Sequence, residues 1–431
     1  MTSTEPAPEP AWRLTHAHLR ASIGGAVLLL TAVVAGRPDL ALLGVPLATV
    51  AVWAGVRRPR RQPRVEADDA ALTVNEDEDF AWRAEVLDLE PGARVVAVHP
   101  GQRFLDVDPP SGSMQLRPDV EIGLRATRWG RRTLGGPVVC AYDRWLAWRW
   151  AEPPLPERAL TVLPVPEAVG SRAPAPHPRG LVGMEQAVRT GEGSEFTKVR
   201  PFTPGDRLRR IHWPVTARTG RLHVTATHAD EDTQVALLVD ALNDIGEDGS
   251  EARTSMDITV HAVASVARQF LRRGDRVGLR VFGAWAVSLL PARSGEVQLR
   301  RILDSLCLIE PGTARGVASP VVRRGLGAGT LVIVFSPMVE PAVAAQVAVL
   351  LRAGLDVVVV DTLPRETVSA PSRAITPEAL AWRIRLLERR LELERLAGLG
   401  VPVVPWAGAR SLDVVLRDLS LRPTRPRLVA R

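Results

Sequence analysis

The residues best suited to chemistry in this chain gather in one short stretch. Glu195 and Asp206 stand among Arg200, Arg209, Arg210 and Arg218, with Trp213 between the last two arginines. A guanidinium is a planar fork of donors that matches a carboxylate bidentately, so the pattern predicts a network of arginine–carboxylate hydrogen bonds. Pro204-Gly205-Asp206 has the chemistry of a turn, which would direct the chain so that Ile211 and Trp213 enter a core. Such networks commonly serve specificity of fold, and the favoured reading is that the segment fastens two domains together. The alternative is a docking surface for a protein partner, anchored by Trp213 and the arginines.

Other chemistry is thin. His212, His223 and His228 are close in sequence but form no His-Glu-x-x-His pair and have no zinc spacing. Cys140 and Cys307 are the only cysteines, too few for a disulfide framework or a thiolate metal site. The run 325–329 is glycine-rich but precedes an apolar run and lacks the Gly-Lys-Ser/Thr ending of a phosphate loop. There is no Gly-x-Ser-x-Gly elbow, and no catalytic residue is assigned.

The elements that must position these residues begin with two apolar runs, 21–36 and 40–56, joined by Gly36-Arg37-Pro38-Asp39. Each is near the lower limit of the ~17–25 residues a membrane-spanning helix needs. Arg57, Arg58, Arg60, Arg61 and Arg64 follow the second run, and Arg13 and Arg20 precede the first. By the positive-inside rule both ends stay in the cytoplasm, which predicts a multi-pass protein of the inner membrane with its main body cytoplasmic. The first run also has the look of a cleaved signal peptide ending at Ala35-Gly36, in which case the second run alone would be the anchor. On the two-span reading, residues 1–20 are a cytoplasmic tail and 21–56 a two-helix transmembrane hairpin.

Glu66, Asp68, Asp69 and the run from Glu76 to Asp79 read as a solvated acidic linker. From 80 to 150 short alternating apolar runs lie between Pro/Gly turns, which predicts a small β-sandwich-like domain over 65–165. Trp129, Trp145, Trp148 and Trp150 crowd its end and are expected in core or interface packing. Residues 166–190 form a proline-rich connector. From 230 to 420 a continuous apolar run ending in a carboxylate (234–240) and further strand-like runs (276–282, 331–335, 356–360 and 401–404) alternate with helical segments. One of these carries Ile258, Ala262, Val266 and Phe270 on one face and is closed by Gly274; another spans 377–396. This is the pattern of a doubly wound α/β sheet. The charge, 55 basic against 48 acidic residues, is +7, with signs interspersed along the chain, which argues against a polybasic nucleic-acid binder.

The stretch 191–218 closely resembles the signature of the bacterial domain of unknown function 58 family (DUF 58). Gly191, Gly193, Glu195, Phe196, Arg200, Pro204, Gly205, Asp206, Arg210, Ile211, Trp213, Ala217 and Arg218 occupy the places of its pattern. Arg128-Trp129-Gly130-Arg131 with Leu134-Gly135-Gly136-Pro137 is similar to a second element of that family. A third, Asp-Pro-x-Gly-Leu, is present only as Asp143-Arg144-Trp145-Leu146. The resemblance makes 191–225 a signature segment and implies that the α/β domain is von Willebrand factor A-like.

That fold often holds a divalent cation through an Asp-x-Ser-x-Ser loop after the first strand, a threonine and a further aspartate. Here the loop reads Asp240-Ala241-Leu242-Asn243-Asp244; Thr313 is the candidate threonine, and Ser336-Pro337 stands where the last acid would be. A hard cation needs several converging oxygens, and Leu242 supplies none, so no metal or other cofactor is expected. If an ion were bound, Asp240, Asp244 and Thr313 would be its candidate ligands and Mg²⁺ the candidate ion. The resemblance also implies a non-enzymatic scaffold working with a MoxR-type AAA+ ATPase in chaperone-like assembly or maturation of proteins. The alternative is a divalent-cation-dependent ligand-binding or hydrolytic domain using the loop after the first α/β strand.

Overall fold

Two apolar helices open the computed structural model, α1 (His16–Val34) and α2 (Pro38–Val56). The structure describes residues 11–411 except 111–112, 116–117, 152–154, 168–189, 203–210, 229–233, 247–252, 284–288, 313–325, 328–329, 366–375 and 409–410. It divides into two units, residues 1–164 and 165–431.

Thr15 starts α1 by accepting the amide of His18 at 3.1 Å, and Pro38 occupies the first turn of α2, where its missing N–H costs nothing. The turn between them passes through Gly36 at φ +61°, a left-handed conformation that glycine adopts without strain. The helices approach closely because small residues line their contact. A Cβ on Gly25 would come within 3.0 Å of the Ala48 amide nitrogen, and one on Gly44 within 3.1 Å of the Leu28 side chain. Their outer faces leave Ile23, Val27, Leu30, Leu42, Leu43 and Val52 exposed. Both helices are long and apolar enough to cross a membrane, which suggests membrane association.

The same unit contains β1 (Arg13–Leu14), β2 (Arg64–Ala67), β3 (Leu72–Asn75), β4 (Asp79–Leu87), β5 (Arg94–Val98) and β6 (Leu105–Asp108). It continues with β7 (Ser113–Gln115), β8 (Asp119–Ala126), β9 (Gly130–Leu134), β10 (Val138–Tyr142), β11 (Trp148–Ala151) and β12 (Arg158–Leu163). They form three sheets in the orders β1-β11-β10-β5-β7, β2-β4-β8-β6 and β3-β12-β9. The period-2 pattern is plainest in β8, where Val120, Ile122, Leu124 and Ala126 are buried while Asp119, Glu121 and Arg125 are exposed. Those four join Trp82, Val86, Val95, Leu134 and Leu160 in one core. Arg13–Leu14 adds a strand beside β11, and α1 begins five residues earlier than the charge-free run implies.

In the second unit β13 (Thr190–Pro201) and β14 (His223–His228) form an antiparallel pair, with α3 (Trp213–Thr219) in the connection. A six-stranded sheet follows, built from β15 (Gln234–Asp240), β16 (Arg276–Phe282), β17 (Leu289–Arg293), β18 (Leu331–Ser336), β19 (Asp356–Asp361) and β20 (Val403–Pro405). Its helices are α4 (Ser255–Arg272), α5 (Glu296–Leu306), α6 (Pro341–Arg352) and α7 (Pro377–Gly398). The order is β17-β16-β15-β18-β19-β20, parallel except for β17.

Strands covered on both faces need an unbroken apolar run, and β15 has one from Val235 to Val239 and β18 from Leu331 to Phe335. Ala236 and Leu238 pack with Val343, Val347 and Leu350 of α6 and Leu396 of α7. The alternate residues Val235, Leu237 and Val239 are equally buried on the other face, where α4 lies on β15, β16 and β18. A capping box starts α4. The Thr254 hydroxyl accepts the Asp257 amide at 3.3 Å, and the Asp257 carboxylate accepts the Thr254 amide at 3.0 Å.

Candidate functional site

The signature segment is partly placed. Glu195, Phe196 and Arg200 lie on β13, where Phe196 is opposite Thr227 and Arg200 opposite Val224, and Glu195 falls at a register shift. Pro204, Gly205, Asp206, Arg209 and Arg210, and with them the expected arginine–carboxylate network, lie outside the described residues. Trp213 overturns its expectation, because it is 66% exposed and enters no core. The local cause is visible. Trp213 is the first residue of a seven-residue helix that buries none of its side chains. His212 precedes it and caps that helix, its Nδ1 accepting the Val215 amide at 3.3 Å. Thr216 Oγ1 accepts the His223 amide at 3.0 Å and ties α3 to the start of β14. Arg218, on the last turn of α3, is exposed as well.

The strand order reverses between β15 and β18, whose carboxyl ends are the usual ligand position in open α/β sheets. Asp240 closes β15 there, 2% exposed. It accepts the Ser336 hydroxyl at 2.6 Å and the Leu242 amide at 3.0 Å. Burial pushes its carboxyl up to about 6, and the two hydrogen bonds oppose the rise only in part. Asp244 is spent elsewhere, accepting the Ser255 hydroxyl at 3.3 Å and the Met256 amide at 3.0 Å on the first turn of α4. The two carboxylates are therefore committed to separate structural tasks. Thr313 lies outside the described residues. Among the described residues no group of three or more His, Cys, Asp or Glu side chains converges on a point that could hold a metal.

The loop after β18 is clamped by features that sequence reasoning missed. Ser336 Oγ accepts the Met338 amide at 2.8 Å, Arg389 of α7 donates to the Pro337 carbonyl at 2.7 Å, and Arg385 donates to the Val339 carbonyl. Arg389 is itself buried and stands 2.5 Å from Asp361 at the end of β19. The Arg/Glu interleaving of α7 hides this role. Arg385 and Glu392 look like a solvated pair in the sequence yet are each only 17% exposed.

At the base of the helical hairpin, the basic run after α2 is anchored to the β-rich unit. Arg57 lies over the Trp53 ring at 3.9 Å and Arg58 over Trp148 at 5.7 Å. Glu90 accepts the amides of Arg60 and Arg61 at 3.0 and 3.1 Å, which holds its carboxyl below the ordinary value. Trp12 is buried with Trp150 and donates to the Arg61 carbonyl at 2.8 Å. Of the expected aromatic cluster, Trp129 and Trp150 are core residues, Trp148 is half-buried and Trp145 is exposed.

These features define a mixed α/β protein with two apolar N-terminal helices joined to a β-rich unit, followed by an open, mostly parallel sheet. Residues 198–373 match the family described as "Protein of unknown function DUF58". The match takes in the signature from Arg200 to Arg218 and most of the parallel sheet, while Glu195 and Phe196 fall just before it. The chain is also similar to uncharacterised proteins of Mycobacterium tuberculosis (strain ATCC 25618 / H37Rv) and Mycobacterium bovis. Identity to each is 31% over 168 residues, which is 37% of this chain and 52% of theirs. The chain thus spans about half the length of the curated relatives it matches.

Proposed function

We propose that this is a membrane-tethered, non-enzymatic interaction protein. The hairpin of α1 and α2 spans the inner membrane with both ends in the cytoplasm, and the remaining chain is cytoplasmic. The open sheet, with its antiparallel β17 edge and its Asp240 loop, is read as von Willebrand factor A-like. The proposed partner is a MoxR-type AAA+ ATPase, acting in assembly or maturation of other proteins; that partner comes from the family resemblance.

The observation that carries the reading is the exposure of Trp213. A tryptophan left in solvent on a capped helix, with exposed Arg218 on its last turn, has the composition of an interface hot spot. Supporting it, Asp240 is buried with both carboxylate oxygens bonded within the fold, and Asp244 Oδ1 is bonded to the first turn of α4.

The test is crosslinking in native membranes followed by purification of the full chain. Recovery of a MoxR-type ATPase with the parent chain and its loss with Trp213→Ala supports the proposal. Repeated crosslinking that recovers no such ATPase, or equal recovery with Trp213→Ala, overturns it.

A further inference from the structure

The turn between β10 and β11 is bonded to both ends of the helical hairpin that lie on the β-rich side. Thr15, which caps α1, donates its hydroxyl to the Leu146 carbonyl at 2.8 Å and its amide to the Ala147 carbonyl at 2.8 Å. Trp148 Nε1 donates to the Ala54 carbonyl in the last turn of α2 at 3.0 Å. Residues 143–147 therefore lie level with the points where the two apolar helices end.

At that level the turn presents two large apolar side chains to solvent, Trp145 at 44% and Leu146 at 38% exposure. The presentation is built in. Asp143, buried, accepts the Trp145 amide at 3.1 Å and the Trp148 amide at 2.8 Å, and its carbonyl accepts the Leu146 amide at 3.0 Å. Leu146 is held at φ +57°, a region that disfavours a side chain of this size and that surrounding structure must enforce. The Arg144 guanidinium covers the Trp145 ring at 5.2 Å. Arg13, Arg57, Arg58 and Arg149 are exposed around the same base. Tryptophan beside aliphatic and arginine side chains, at the end of a spanning helix, is the composition of a membrane–water boundary.

We propose that the 143–147 turn is an interfacial wedge for an anionic phospholipid leaflet. Trp145 and Leu146 enter the headgroup layer, and Arg57, Arg58 and Arg144 pair with lipid phosphates. The β-rich unit is then docked on the bilayer in a fixed orientation rather than swinging from a linker. Two features select lipid as the occupant: continuity with the ends of the apolar hairpin, and a positive rim opposite a negative leaflet. The inference rests on the reading of α1 and α2 as membrane-spanning.

The test uses the full chain in phosphatidylcholine vesicles with and without phosphatidylglycerol. An environment-sensitive fluorophore is placed at Leu146→Cys, at Trp145→Cys as a second variant, and at Leu30→Cys on the exposed face of α1. Cys140 and Cys307 are buried, so the parent chain labelled under the same conditions supplies the blank. Expected at both turn positions is blue-shifted emission, quenched more strongly by lipids brominated near the headgroup than near the bilayer centre, and strongest with phosphatidylglycerol. Water-like emission at 145 and 146 with a quenched label at 30 overturns the wedge and leaves the tether standing. Water-like emission at all three overturns both. Equal quenching without phosphatidylglycerol overturns the part assigned to anionic lipid.

Discussion

Replacing Asp240 by asparagine isolates the cost of a buried carboxylate. Asp240 is shut between β15 and β18, and its carboxyl is raised from an ordinary 3.8 to about 6. A group that binds its proton more tightly in the native state destabilises the fold as pH rises from the unfolded value to the folded one, and the full penalty is present above pH 6. A rise of that size corresponds to about 3 kcal/mol. The asparagine side chain keeps the shape and can accept the Leu242 amide, with no charge to bury. The stability difference between Asp240→Asn and the parent should therefore shift in favour of the variant by up to about 3 kcal/mol between pH 4 and pH 7. The assay is urea unfolding of the detergent-solubilised chain at a series of pH values. It is read by hydrogen exchange in peptides covering residues 234–240, so that only the α/β unit is reported. A difference that does not change with pH would refute the reasoning, because Asp240 would then titrate alike in the folded and unfolded chain.

Three further outcomes are expected. Arg389→Met removes a buried guanidinium from Asp361 and from the Pro337 carbonyl, and should cost about 3–5 kcal/mol in the same unfolding assay, since it strands a partly buried carboxylate. Thr254→Ala breaks the capping box of α4 and should cost about 1 kcal/mol, with faster exchange confined at first to the amides of residues 255–258. Trp213→Ala, at an exposed site, should change stability by no more than about 0.5 kcal/mol. A large loss of stability there would return Trp213 to a packing role.

What the sequence made legible follows from burial. The strands β15, β18 and β19 are covered on both faces, so each has an unbroken apolar run at its centre, whereas β16 carries the buried Arg280 within its run; α4 shows its apolar periodicity directly. The strand β17 was not visible, because it is an edge strand with one wet face and contains Pro291, both of which dilute a strand signal. The two residues of β1 are too few to carry any periodicity, and only tertiary pairing with β11 reveals them.

The candidate site was legible less well. Asp240 stood out as a carboxylate ending a strand, but its partner Ser336 is 96 residues away and was seen only as a missing acid. Residue type and the preceding Pro-Gly-Asp turn point Trp213 into a core, whereas the short capped helix it opens buries none of its side chains. The turn at Asp143 registered as a departure from the family pattern, without the hydrogen bonds that explain an aspartate there.

Membrane topology decides between a tethered scaffold and a free one. With an epitope at the C-terminus, the full chain is followed through alkaline carbonate extraction and then through protease treatment of intact spheroplasts and of inverted vesicles. Tethering predicts that the chain stays in the membrane pellet, that the epitope survives in spheroplasts, and that it is digested in inverted vesicles. Release by carbonate, or loss of the epitope in intact spheroplasts, contradicts it.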